Sequence, residues 1–299
     1  MPRALIVGSS RSRSGGPVAA RAVAALLRAA GWDVDIEIAM EREALRPLAA
    51  GAVEDGCEVV VAVGGDGTVT QVAGGLVGTP VRLGIIPTGT GNLLAGAMGI
   101  PGRPMAAARA LIDGRPRRID LGQVKAGASG DYFSVACGIG FDARVMRSTP
   151  AGRKRRWGRM AYVATAVALA GTVRNVDFEI TLDGVRRRTH GAQVLVANVG
   201  HLTTRVRPRR PIRPDDGLLD VIVVRAAGPL VGLLAAWEAL GHRRLGDHPG
   251  GRTFRGQARE VRIESERPQP AEIDGDLIGS TPVDIAVVPG ALSVIVPRR

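Results

Sequence analysis

Two rhythms of apolar and polar residues divide the chain. In the N-terminal part, ALIVG (residues 4–8) is a short apolar run, and PVAARAVAALLRAAG has helical spacing, with Pro17 near its start and Gly31 just past its end. DVDIEI alternates as a half-buried strand does, EREALRPLAA reads as a helical stretch interrupted by Pro47, and EVVVAV reads as a buried strand. The glycine-rich run VGGDGTVTQ (63–71), another helical stretch and the strand-like VRLGIIP follow.

Strand and helix in strict alternation predict parallel strands joined by crossover helices, a Rossmann-like α/β layer structure. Past residue 121 strand-like stretches dominate: YFSVACGIG, VDFEITLDG, AQVLVANVG, LLDVIVV, REVRIES, VDIAVV and LSVIVP. Turn signals such as DG, PDDG and PGG separate them, which predicts a mostly antiparallel β-sandwich or barrel. Two helical stretches interrupt this part, at 160–173 and in GPLVGLLAAWEALG from Gly228. With no repeat and no low-complexity linker, the boundary falls near 119–121: an α/β domain over 1–120 and a β-sandwich over 121–299, with the last few residues free to return to the first domain.

Composition narrows the picture. Of 299 residues 45% are apolar but only 3% aromatic, so the core is built from Ala, Val, Leu and Ile. Cys57 and Cys137 have neither metal-ligand spacing nor a disulfide framework around them, which fits a reducing compartment. The start, MPRALIVGSS, has too short an apolar stretch for a signal peptide, and segment 160–173 is shorter than the roughly 20 residues that span a bilayer. The expectation is a cytoplasmic protein. Forty Lys and Arg against 28 Asp and Glu give a charge of +12 and point to polyanions: phosphate ligands, anionic lipid headgroups or nucleic acid. No nucleic-acid module or set of stacking aromatics accompanies that charge, so no nucleic acid is expected. Neither an H-E-x-x-H pattern nor a Ser/His/Asp elbow is present.

The chemistry concentrates in two loops. A glycine loop between a buried strand and a helix lets the backbone approach phosphate and aims free N–H groups at it. GGDGT supplies this, with Asp66 placed to coordinate magnesium or hydrogen-bond the loop; taken alone, the run is also an ordinary tight turn. No Lys-Ser or Lys-Thr follows, so it is not a Walker A loop. IIPTGTGNLLAGAMGIP repeats the strand, loop and helix arrangement, with Thr88, Thr90 and Asn92 in one loop and Asn92 able to cap the next helix. Both loops would converge on one sheet edge, where open α/β folds bind ligands. GIGFDA from Gly138 matches G-x-G-x-x-A but lacks the acidic residue about twenty positions on that a ribose would need.

VVVAVGGDGTVTQVAGGL followed by LGIIPTGTGNLLAGAMGIP, then CGIGFDARV, PDDGLLDVIVV and AEIDGDLIGSTPVDIAVVPGALSVIVP, resembles the diacylglycerol kinase catalytic-domain family, which includes sphingosine and ceramide kinases and the bacterial soluble lipid kinases. The resemblance implies the NAD-kinase/diacylglycerol-kinase-like fold, with the first domain binding nucleotide, and transfer of the γ-phosphoryl group of ATP to a hydroxyl of diacylglycerol or a related lipid. It also implies that ATP lies on Gly64, Gly65, Asp66, Gly67, Thr68 and Val69, with Gln71 near and Thr90 and Asn92 from the second loop. Asp274 of EIDGD falls where the family has its general base, although DG alone also reads as a hairpin turn. RPDDGLLD resembles the family's structural Mg2+ site, implying Asp216 and the carbonyls of Arg213 and Leu218 as ligands; Asp215, Asp216 and Asp220 read equally well as turn and strand-edge carboxylates.

The chain departs from the family in three places. VGSSRSRSGG stands where an Asn-Pro pair is usual, making Ser9, Ser10 and Arg11 the candidate phosphate contacts. A threonine usual after the second strand is missing near Ala39 and Met40, and Asp276 replaces the commoner Glu after DG. RKRRWGR (153–159), leading into 160–173 with Trp157 and Tyr162, has the makings of a peripheral contact with anionic lipid at the inner membrane face, or of a solvated lead-in to a buried helix. RVRPRRPIR from Arg205 adds charge that could serve nucleotide or membrane. A homodimer is left open, as are an NAD-kinase-like enzyme and a catalytically silent nucleotide- or lipid-binding protein.

Overall fold

The computed structural model describes residues 1–10, 16–125, 131–148, 174–200, 212–225 and 254–298. The apolar stretches at 160–173 and from Gly228, the basic runs 153–159 and 205–211, and Arg11 lie outside the described residues. The chain forms two compact units: Met1–Leu121 with Pro289–Arg299, and Gly122–Val288.

In the first unit β1 (Arg3–Ser9) pairs in parallel with β2 (Asp33–Ala39) on one side and β3 (Val59–Gly64) on the other, and β3 pairs in parallel with β4 (Arg82–Pro87). Every residue of β3 is buried, as a central strand covered on both faces must be. Helix α1 (Gly16–Ala29) buries Ala20, Val23, Ala24 and Leu27, the i, i+3, i+4, i+7 stripe its sequence spells out. Burying each such Val or Leu side chain contributes roughly 1.5–3 kcal/mol. The stretch after β2 differs from the sequence reading. A 3₁₀ turn (Arg42–Ala44) leads into α2 (Leu45–Glu54), and Pro47 sits in the first turn of α2 without interrupting it. The N–H that proline lacks has no intrahelical partner at that position, so the ring is tolerated there. Helix α3 (Asp66–Leu76) follows β3; α4 (Leu93–Ala97) and α5 (Pro104–Ile112) follow β4.

Strand β5 (Arg115–Val124) carries the chain out of the first unit. In the second, β6 (Asp131–Phe133) and β7 (Ala136–Gly140) stand where the sequence reads as one strand, YFSVACGIG; α6 (Phe141–Ser148), β8 (Val176–Leu182), β9 (Val185–Gly191), β10 (Gln193–Ala197), β11 (Leu219–Val224), β12 (Phe254–Ala258), β13 (Glu260–Ser265), β14 (Pro270–Ile273) and β15 (Asp276–Ser280) follow. One antiparallel sheet runs β12-β11-β10-β7-β14-β15, and β13 pairs antiparallel with β8, which pairs with β9. Phe133, Phe178, Ile180, Val194, Val221 and Ile263 are among the buried side chains between these sheets, an antiparallel β-sandwich. Because β7 lies between antiparallel partners, GIGFDA is not a dinucleotide-binding turn.

VDIAVV and LSVIVP are one strand, β16 (Val283–Val296), and not two. Its early residues pair antiparallel with β13 in the second unit; Ser293 and Val294 pair in parallel with Arg82 and Leu83 in the first. The re-entry is fastened by Asp120, only 3% exposed, whose Oδ1 accepts the Gly290 N–H at 2.7 Å.

Candidate active site

The first unit presents its two glycine loops interlocked. Gly65 caps α3 in extended backbone, and its Cα approaches Gly89 so closely that a Cβ on Gly89 would stand 2.5 Å away. Only a residue without a side chain permits that approach. The Gly64 carbonyl accepts the Thr88 N–H at 3.0 Å, and the Thr68 side chain covers Gly64.

Asp66 does the joining. From the first turn of α3 its Oδ1 accepts the N–H groups of Leu93 at 2.5 Å and Leu94 at 3.4 Å, the first residues of α4. Asp66, not Asn92, therefore caps α4. Asn92 adopts left-handed backbone, φ 50°, and turns its amide back on its own loop, accepting the Gly89 N–H at 3.1 Å and donating to the Gly89 carbonyl at 2.8 Å. Asparagine is among the few residues that enter this conformation readily. The structure thus brings Gly64, Gly65, Asp66, Thr68 and Asn92 into one cradle. Thr90 is exposed at the tip of the second loop, Val69 is buried beneath the first, Gln71 is half-buried along α3, and the Gly67 carbonyl accepts a bond from Arg42.

In the second unit Asp274 and Gly275, φ 46° and 91°, form the two-residue turn between β14 and β15, the conformation for which Asp-Gly is favoured. The hairpin reading of DG is thus what the backbone adopts. The Asp274 carboxylate does more than turn the chain. Oδ2 accepts Ser134 N at 2.8 Å and Ser134 Oγ at 3.0 Å, and Oδ1 accepts Val135 N at 3.0 Å and Ala136 N at 2.9 Å. These bonds explain why YFSVACGIG breaks into β6 and β7: the N–H groups at the break turn to a side chain. Asn198, fully buried, donates from Nδ2 to the Ser134 carbonyl at 3.1 Å, and Glu272, 5% exposed, accepts the Gly275 N–H at 2.6 Å. Burial, with the charges of Glu272 and Asp274 adding to it, pushes the Cys137 thiol well above its usual range.

With four hydrogen bonds to its two oxygens, the Asp274 carboxylate holds the frame of this turn. Asp276, half-buried, opens β15 two residues on. Ser134, Asn198 and Asp120 were missed by the sequence reading. The one signal for them is a polar residue set within an apolar run, which the sequence does not tie to any partner.

In RPDDGLLD, Asp216 is exposed and its Oδ1 accepts the Leu218 N–H at 3.1 Å, while Asp215 lies 3.6 Å from Arg213 Nε. A single carboxylate with main-chain carbonyls is a hard-oxygen donor set of the kind magnesium takes with several waters, so the residues fit the ion in type. Among the described residues no three His, Cys, Asp or Glu side chains cluster to hold a metal. Asp220 is apart from this turn. It is 1% exposed and pairs with Arg255, Nη2 at 2.6 Å and Nε at 2.9 Å, with Gln257 Nε2 at 3.2 Å.

Residues 4–124 match the diacylglycerol kinase catalytic domain, and residues 135–296 match the YegS C-terminal NAD kinase beta sandwich-like domain. The chain belongs to the diacylglycerol kinase family. A diacylglycerol kinase of Mycobacterium tuberculosis is 32% identical over 301 residues, covering 94% of this chain and 90% of that one. A Chromohalobacter salexigens protein, provisionally named a YegS-like lipid kinase, is 30% identical over 277 residues, 91% of this chain and 86% of that one. A Bacillus anthracis str. Sterne crystal structure, provisionally described as a diacylglycerol kinase, superposes with a TM-score of 0.80 at 23% identity, covering 98% of this chain and 95% of that one, a likeness of fold. This diacylglycerol kinase family member is thus a lipid-kinase-type phosphotransferase by kinship. Among its described residues no helix is long and apolar enough to cross a membrane.

Proposed function

We propose that the chain transfers the γ-phosphoryl group of ATP to a hydroxyl of diacylglycerol or a related lipid. The observation that carries this reading is the interlock of Gly65, Asp66, Gly89 and Asn92. It fixes the backbone of two loops that follow adjacent parallel strands, the rim where such sheets receive ligands. In the reaction the lipid oxygen bonds to the γ-phosphorus as the bond from phosphorus to the β,γ-bridging oxygen breaks. ADP leaves with that electron pair, and the hydroxyl proton passes to a carboxylate. A positioned base contributes about 10²- to 10⁴-fold, and positioning with charge stabilisation supplies the rest.

The carboxylate comes from the IDGD turn. The motif resemblance implies Asp274; its four hydrogen bonds support a holding role instead, and we assign the proton acceptor to Asp276, two residues on. Magnesium held by Asp216 and the carbonyls of Arg213 and Leu218 would order that turn, while magnesium accompanying ATP would neutralise phosphate charge. The +12 charge suits peripheral contact with anionic lipid, through the basic run 153–159.

Turnover of diacylglycerol in mixed micelles tests the assignment. Asp276→Asn is expected to lower kcat at least tenfold with ADP affinity and melting temperature retained, and Asp274→Asn to lower melting temperature along with kcat. Wild-type turnover from Asp276→Asn, with loss confined to a stably folded Asp274→Asn, would return the base to Asp274.

A further inference from the structure

The parallel pairing of β2, β1 and β3 puts the C-terminal ends of these strands on one edge of the first unit's sheet. The 3₁₀ turn after β2 therefore arrives beside the glycine loop after β3, and its first residue is an arginine. Arg42 donates from Nη2 to the Gly67 carbonyl at 3.2 Å. Its guanidinium lies so close over Gly67 that a Cβ there would stand 2.5 Å from Nη2 and 2.8 Å from Cζ. Arg46 approaches Gly74 in the same way, a Cβ there falling 2.8 Å from Nε. Gly67 and Gly74 are seven residues apart, two turns along one face of α3, so this face is reduced to glycine where the two arginines lie.

The guanidinium of Arg42 lies against the second residue of α3, in the turn that also carries Asp66, at the end of the helix where a bound anion is favoured. We propose that Arg42 is a positioning residue of the nucleotide cradle: it holds the first turn of α3 through Gly67 and adds positive charge beside the phosphates. The inference rests on the kinase reading above.

The test compares wild type, Arg42→Ala, Arg42→Lys and Gly67→Ala by Mg-ADP calorimetry at two salt concentrations, by KM for ATP and kcat, and by melting temperature. Arg42→Ala is expected to raise the ADP Kd and the ATP KM about tenfold, the scale of a lost charge-assisted hydrogen bond. Its kcat should fall no more than about twofold, and its binding should depend less steeply on salt. Arg42→Lys should recover part of the affinity, and Gly67→Ala, which displaces the guanidinium, should weaken binding as Arg42→Ala does. Unchanged ADP affinity in Arg42→Ala overturns the proposal. So does a parallel loss of affinity, kcat and melting temperature that Arg42→Lys fails to relieve, since that marks a packing role alone. A wild-type protein that binds ADP but phosphorylates no lipid would remove the lipid-kinase reading while leaving Arg42 tested by binding; one that binds no ADP removes both.

Discussion

Asp66 and Asn92 exchange the roles their spacing suggests. Asn92 directly precedes α4 and reads as its cap, but the left-handed backbone it adopts aims its amide at Gly89, and Asp66, twenty-seven residues earlier, satisfies the α4 N–H groups instead. That bond is long-range, and local spacing carries no signal for it. Cys137 is a second case in which environment decides chemistry. Buried beside Glu272 and Asp274, its thiol is held neutral in the folded protein, while the unfolded chain releases that proton at ordinary thiol pH. A folded pKa above the unfolded one gives stability that is complete below the unfolded value and lost as pH rises through the folded one. Denaturant melts of wild type and Cys137→Ala should therefore converge as pH climbs past the usual thiol range. Curves that stay parallel to high pH would contradict this.

At the scale of elements, amphipathic pattern and punctuation are enough to place β1 to β4 and α1, because each buries one stripe or both faces in a period the sequence displays. Three elements escape that pattern for identifiable reasons. Pro47 reads as a break but falls in a first turn, VDIAVV and LSVIVP fuse because the strand continues through Pro289 and Gly290, and YFSVACGIG splits because its central N–H groups serve Asp274. The β11–β12 pair holds a buried Asp220–Arg255 ion pair, with side chains 1% and 29% exposed. Removing the arginine leaves a buried carboxylate with only part of its bonding, so Arg255→Met is expected to cost about 3 kcal/mol in chemical denaturation. Asp220→Asn combined with Arg255→Met should restore more than half of that. A double variant no better than the single one would mean that lost packing, and not the stranded charge, sets the cost.

For the whole molecule, the ordered set of motifs was legible in sequence, since glycine loops and DG turns are local and their order survives divergence. The hydrogen-bond frame that gives them shape was not, because Ser134, Asn198 and Asp120 acquire meaning only through partners 64 to 170 positions away. Family membership carries the phosphotransferase chemistry, while the acceptor rests on the proposal. The most direct test is transfer of label from γ-labelled ATP, with magnesium, to a panel of lipids in mixed micelles with NAD alongside. The account predicts label in the phosphorylated product of diacylglycerol or a closely related lipid alcohol, and none in NAD. Label in NAD, or in no acceptor by a protein that binds ATP, would contradict it.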